Sequence, residues 1–159
     1  MKYIFLLSFT FIFQIIYANE SVKCDFEEVY QDGSTQFGYL LFNDGLLRYQ
    51  YKDNDLFTII FNKNYFVIRN DNRNIVNKLE DDEILNELKQ IITNYPNNKS
   101  SYSKDDIKIK IVNSKEFNFP KRISINSDEV NLSIYFINCN FEDISERFFQ
   151  PFSLANITK

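Results

Sequence analysis

Three groups of acidic residues stand close enough along the chain to share a reaction: Asp25 with Glu27 and Glu28, Asp81 with Asp82 and Glu83, and Asp105 with Asp106. Two carboxylates held across a cleft can divide the acid and base roles of a hydrolysis. Each group also has a plainer place. The first suits a solvated strand face, the second the positive end of a helix, and the third a polar loop. The remaining repertoire is narrow. The chain has no histidine and no tryptophan, so Ser-His-Asp and Cys-His mechanisms are excluded, as is histidine ligation of a metal. Its three glycines, Gly33, Gly38 and Gly45, form no phosphate-cradling loop. We therefore expect no enzymatic activity, no metal and no cofactor, and keep a small carboxylate-dependent hydrolase as the third of three readings.

Two cysteines, Cys24 and Cys139, are the other reactive pair. Their redox state depends on compartment. Residues 1–18 carry one charge, Lys2, then an apolar and aromatic run from Tyr3 to Ile16, then Tyr17-Ala18. This has the form of a secretory signal cut after Ala18, with an uncleaved anchor as the alternative. Residues 19–159 are then one exported domain with a single core. Export favours a disulfide between Cys24 and Cys139 over two free buried thiols. The expected location is the periplasm, with the extracellular medium as the alternative. The chain carries a net charge of −4 and scattered basic residues, which disfavours nucleic acid as a partner.

The elements that must position these residues are mainly strands. Val22, Cys24, Phe26 and Tyr30 alternate with Lys23, Asp25 and Glu27, the period of a half-buried strand over about 22–30. The turn signals Asp32-Gly33-Ser34 and Asn43-Asp44-Gly45 separate it from runs at 35–42 and 46–51, as in an antiparallel meander. Leu56–Phe61 is apolar on both faces, so it is covered twice or lines a cavity. Further strands are expected at 65–69, 74–79, 107–111, 121–126 and 131–139, about nine in all. Ile84, Leu85, Leu88, Ile91 and Ile92 recur at helical spacing after an acidic first turn, predicting one amphipathic helix over 82–93. Residues 97–106 read as a mobile polar loop. The tail carries a capping-box-like Asp143-Ile144-Ser145-Glu146 and the aromatics Phe148, Phe149 and Phe152, read as one helical turn and an extended segment packing back on the sheet. The fold class is α+β, mainly β: one meander forming an incomplete barrel with a single lid helix. The strands are too short for an outer-membrane barrel.

Of 27 phenylalanines and tyrosines six lie in residues 1–18, and the 21 that remain exceed what one sheet and one helix readily cover, so part of this surface is expected to line a pocket. Residues 26–88 resemble the LolA-like family, the periplasmic carriers of outer-membrane lipoproteins. The resemblance rests on Phe26 ahead of the Asp32-Gly33-Ser34 turn, on Gly38-Tyr39-Leu40-Leu41-Phe42 and on Leu47-Arg48-Tyr49-Gln50-Tyr51. The strand pair Thr58–Ile68 and the passage through Val76–Leu79 into a helix complete it. It implies an open barrel around an apolar cavity that accepts lipoprotein acyl chains and passes them toward the outer membrane. It also implies an inner-membrane exporter and an outer-membrane receptor as partners, and the chain is expected to be a monomer. The helix that the family places before its first strand is absent, and Asn43-Asp44-Gly45 stands where the family has a basic latch, Arg48 being the nearest cation.

The cavity lining expected on this basis is Phe37, Tyr39, Leu41, Leu47, Tyr49, Tyr51, Phe57, Ile59, Phe61, Leu85 and Leu88, with Arg48 as a polar contact to lid or ligand. The leading reading is a periplasmic carrier of an acylated or otherwise apolar ligand. The second is a non-enzymatic envelope or secreted interaction module whose core is filled by its own side chains.

Overall fold

The computed structural model describes residues 21–71, 75–79 and 83–151. The signal segment 1–18 and Phe152 therefore lie outside the described residues. Within them the chain forms ten strands, one α-helix and one 3-10 turn. The strands are β1 (Val22–Tyr30), β2 (Thr35–Asn43), β3 (Leu46–Tyr51), β4 (Phe57–Asn62), β5 (Asn64–Arg69), β6 (Ile75–Leu79), β7 (Ser101–Lys104), β8 (Ile107–Asn113), β9 (Pro120–Asn126) and β10 (Asn131–Phe141). The helix α1 spans Glu83–Asn94 and the 3-10 turn Glu146–Phe149.

All ten strands belong to one antiparallel sheet in the order β6-β5-β4-β3-β2-β1-β10-β9-β8-β7. Every neighbour in that order is a neighbour in sequence except β1 and β10, which join the start of the domain to its end. The sheet is not closed. Its free edges are β6 and β7, and α1 is the segment that connects them.

The turns follow from residue chemistry. Between β2 and β3, Asp44 (φ 45°) and Gly45 (φ 80°) both adopt positive φ, the requirement of a two-residue turn whose twist suits a hairpin. Between β1 and β2, Asp32 Oδ1 accepts hydrogen bonds from Ser34 N at 2.9 Å and Ser34 Oγ at 2.6 Å, while Gly33 takes φ 83°. Between β1 and β10 the register shifts from Lys23↔Asn140 to Asp25↔Ile137. That bulge places Asn138 at φ 52°, a conformation asparagine tolerates better than most residues.

The face on which α1 packs, here the inner face, holds the main core. It joins Val22, Phe26, Leu40, Leu47 and Tyr49 to Ile109, Ile123, Phe136 and the helix residues Leu88, Ile91 and Ile92. A smaller cluster lies on the outer face, where Leu41, Ile60 and Ile68 are covered by Ile144 and Phe149. The C-terminal segment thus does pack back on the sheet. One expectation needs correction: the stretch assigned to a mobile loop contains β7, which pairs with β8 as an edge strand. Its side chains are mostly polar, but Tyr102 Oη donates to Glu87 Oε2 at 3.0 Å and Lys104 Nζ lies 2.9 Å from Glu87 Oε1. These contacts fasten the edge strand to α1.

Cys24 and Cys139 form a disulfide, with Cα atoms 4.1 Å apart across the β1–β10 bulge. Such a bond indicates an oxidising compartment of the kind exported proteins enter. Among the described residues, no helix is long and apolar enough to cross a membrane.

Candidate functional site

The register sorts the expected cavity residues onto two faces. Leu40 pairs with Tyr49, and Tyr49 with Ile59, so Leu47, Tyr49, Tyr51, Phe57, Ile59 and Phe61 share the inner face. Leu85 and Leu88 stand on α1, Leu88 buried and Leu85 half-buried. Phe37, Tyr39 and Leu41 do not belong with them. Tyr39 pairs with Gln50 and Leu41 with Arg48, which puts all three on the outer face. The physical reason is that Tyr39-Leu40-Leu41-Phe42 is apolar on both sides, so alternation alone does not reveal its phase, and a one-residue slip exchanges the faces.

The inner face is unevenly filled. Toward β8–β10, Ile109, Ile123, Ile125, Ile134, Phe119 and Phe136 are buried. Toward β3 and β4, Tyr51, Ile59 and Phe61 are only half-buried, as are Ile84 and Leu85 on the facing helix, and Phe57 is exposed. Lys89 reaches from α1 to place Nζ 3.3 Å from the centre of the Phe61 ring, a cation–π contact between helix and sheet. The desolvation that accompanies it lowers the lysine pKa.

Elsewhere on the inner face, on β1, stands a carboxylate that was expected on a solvated strand face. Glu28 is 3% exposed and is ringed by phenols. Tyr49 Oη donates to its Oε1 at 2.7 Å and Tyr30 Oη to its Oε2 at 2.6 Å. Tyr51 Oη lies 3.1 and 3.0 Å from the two oxygens. Asp25 and Glu27 do take the outer face, and Asp25 pairs with Lys52 at 3.4 Å. The signal for Glu28 was in the alternation from Phe26, which turns its side chain inward.

Burial and the Glu28 charge make these phenols reluctant to ionise. Tyr30 is pushed from 10.0 up to about 12, first by desolvation and then by Glu28, and Tyr49 and Tyr51 are raised further by the same causes in the same order. The folded protein therefore keeps protons that the unfolded chain releases. For Tyr30 the contribution to stability is complete below pH 10.0 and is lost as pH rises through about 12. Urea titrations across this window should show the midpoint falling steeply, and absorbance at the phenolate band should report delayed ionisation of these tyrosines until the protein unfolds.

Arg48 also has a different place from the one expected. It is fully buried on the outer face, away from α1. Its Nε and Nη2 donate to Gln50 Oε1 at 3.0 and 2.6 Å, and Nη1 donates to the Phe148 carbonyl at 2.8 Å. Tyr39 Oη donates to the same Gln50 oxygen. Asn43 Nδ2 reaches the Ile144 carbonyl at 2.8 Å and Asn62 Nδ2 the Phe149 carbonyl at 3.4 Å. Side chains of β2, β3 and β4 thus hold the C-terminal segment, and Arg48 is a latch for that segment in place of the helix. Lysine cannot reproduce the fork of donors. Arg48→Lys should cost about 1–3 kcal/mol and raise protease cleavage around residues 142–150 by about tenfold, read by limited proteolysis with mass mapping.

Among the described residues no group of three metal-ligating side chains is present; Glu83 pairs with Lys104 at 3.4 Å and Asp105 and Asp106 are exposed in the β7–β8 turn, while Asp81 and Asp82 lie outside the described residues. The described residues also form an outer pocket of about 780 Å³ beside the C-terminal segment, lined by Asn43, Asn62, Lys63, Phe66, Glu146 and Pro151 among others. No family model matches the chain, and no curated protein matches it at a significant level.

Proposed function

We propose that the protein is an exported, non-catalytic carrier that holds an acylated or otherwise apolar ligand between α1 and the inner face of β3 and β4. The observation that carries this reading is the uneven inner face. The wing toward β8–β10 is buried, whereas Tyr51, Ile59 and Ile84 are only half-buried toward β3 and β4. Apolar chains gain roughly 25 cal/mol per Å² removed from water, so such a surface recognises acyl length and shape without specific hydrogen bonds. Because α1 joins the two free edges, a small shift of it widens the groove without breaking a strand pair.

The resemblance to lipoprotein carriers supports the periplasm as the place of action, acyl chains of lipoproteins as the cargo, and an exporter and a receptor in the two membranes as the partners. The test is to express the full chain with export, purify it and record native mass spectra, followed by displacement of a fluorescent acyl probe. The expected result is a co-purified acyl compound and probe binding that Ile59→Asp and Phe61→Asp abolish while circular dichroism is retained. Protein that is free of lipid and fails to take up the probe would overturn the reading.

A further inference from the structure

The groove proposed above ends on a charge. Tyr51, half-buried on the inner face opposite the position of Phe57, points its hydroxyl at Glu28. Both Glu28 oxygens accept hydrogen bonds and neither meets a cation among the described residues, which is the arrangement of an ionised carboxylate stabilised by neutral donors alone. Buried charges are ordinarily paired. Here the surroundings are aromatic: the Phe26 ring stacks on Tyr49 with centroids 4.0 Å apart, and Tyr51 meets both rings edge-on at 5.6 and 5.7 Å. The three phenols turn their hydroxyl edges to the carboxylate, so a charge that has donors but no counter-ion favours a cation by direct attraction.

We infer that Glu28 and its tyrosines form the head-group end of the ligand site and select an apolar chain that ends in an ammonium group. This rests on the carrier reading and adds the ligand's polarity to it. The ammonium donates to Glu28 beside Tyr30 and Tyr51, both of which are partly exposed, and the chain lies along Ile59 and Phe61 under α1. Lys89, over Phe61, stands at the opposite end of the groove. An anionic head is therefore repelled from the Glu28 end, and a chain with a neutral head has no charge to satisfy there.

The experiment compares dodecylamine with dodecanol, equal in chain and different in head, by displacement of an acyl probe from the purified full chain. The expected result is tighter binding of the amine by about tenfold, the scale of one charge-assisted hydrogen bond. That preference should vanish in Glu28→Gln. Because this variant removes a buried charge and can lose stability, Tyr51→Phe is the companion. It leaves the carboxylate ionised with one donor fewer, and should widen the preference for the amine. Equal binding of amine and alcohol by the native protein, or an amine preference unchanged in Glu28→Gln and narrowed in Tyr51→Phe, would overturn the head-group assignment while leaving the carrier reading intact. Binding of neither compound would overturn both.

Discussion

Gly38→Ala should unfold this protein or leave it without fixed packing, at a cost of about 3–5 kcal/mol. Gly38 stands mid-strand in β2, between Phe26 of β1 and Tyr51 of β3. A Cβ there would lie 2.1 Å from Phe26 Cζ, 2.4 Å from Phe26 Cε1 and 2.2 Å from the Gln50 carbonyl oxygen. Glycine within a strand usually weakens it, and its presence marks close approach of another group. In this case the bare backbone lets the Phe26 ring cross β2 and stack on Tyr49, an arrangement known to offset the cost of a strand glycine. The ring cannot retreat, since Phe26 is 1% exposed and also packs within the main core. A loss of this size is comparable with a large share of the total stability of an ordinary domain.

The check is a urea unfolding series with the double mutant Phe26→Ala/Gly38→Ala. Removing the ring relieves two of the three close contacts but not the one with the Gln50 backbone. The two substitutions should therefore couple favourably by about 1–2 kcal/mol without restoring native stability. Additive losses would mean that the ring is not what forbids a side chain at this position.

The same stretch shows how far a sequence of this kind can be read. The hairpins were legible because their turns need particular backbone conformations, and Asp32-Gly33-Ser34 and Asn43-Asp44-Gly45 are residues that supply them. The helix was legible because Leu88, Ile91 and Ile92 fall on one side of a 3.6-residue period, and the structure places it at Glu83–Asn94 against an expected 82–93. The incomplete barrel followed from these elements and was met. What was not legible depended on partners distant in sequence. β7 is four residues of mixed polarity whose strand character comes from pairing with β8 and from Glu87 on the helix. The phase of β2 is hidden because residues on both of its faces are apolar, Leu40 in the main core and Leu41 under the C-terminal segment. Arg48 meets the Phe148 carbonyl a hundred residues away in the chain, and no local pattern announces such a contact. Glu28 is intermediate, since alternation turned it inward but only the three phenols explain how a carboxylate is tolerated there.

Loss of the Cys24–Cys139 disulfide should lower stability by about 4–5 kcal/mol and the melting temperature by roughly 10–15 °C. The bond spans 115 residues of sequence, so in the chain-entropy model it removes a large part of the freedom of the unfolded chain. Its position gives the effect a structural meaning. The pairing of β1 with β10 is the one place in the sheet order where neighbours are not consecutive in sequence, and every other pairing can form through a hairpin or a short connection. Closing β1 against β10 therefore carries the largest loop entropy of any strand pair in the fold. The disulfide supplies that closure covalently at the bulge, where the register shift interrupts the ladder between Lys23 and Asp25. Cys24 is fully buried in the main core, so its replacement must be chosen to separate cross-link from packing. Cys24→Ala/Cys139→Ala should lose nearly the full amount, and Cys24→Ser/Cys139→Ser somewhat more, because it adds a buried hydroxyl. Folding of the alanine pair should also slow by a larger factor than its unfolding accelerates if β1 and β10 meet in the transition state, and stopped-flow measurements distinguish the two. If the alanine pair matched the native protein within about 1 kcal/mol, the extensive β1–β10 ladder would be closing the sheet unaided, and the cross-link would have no measurable part in holding the two ends of the domain together.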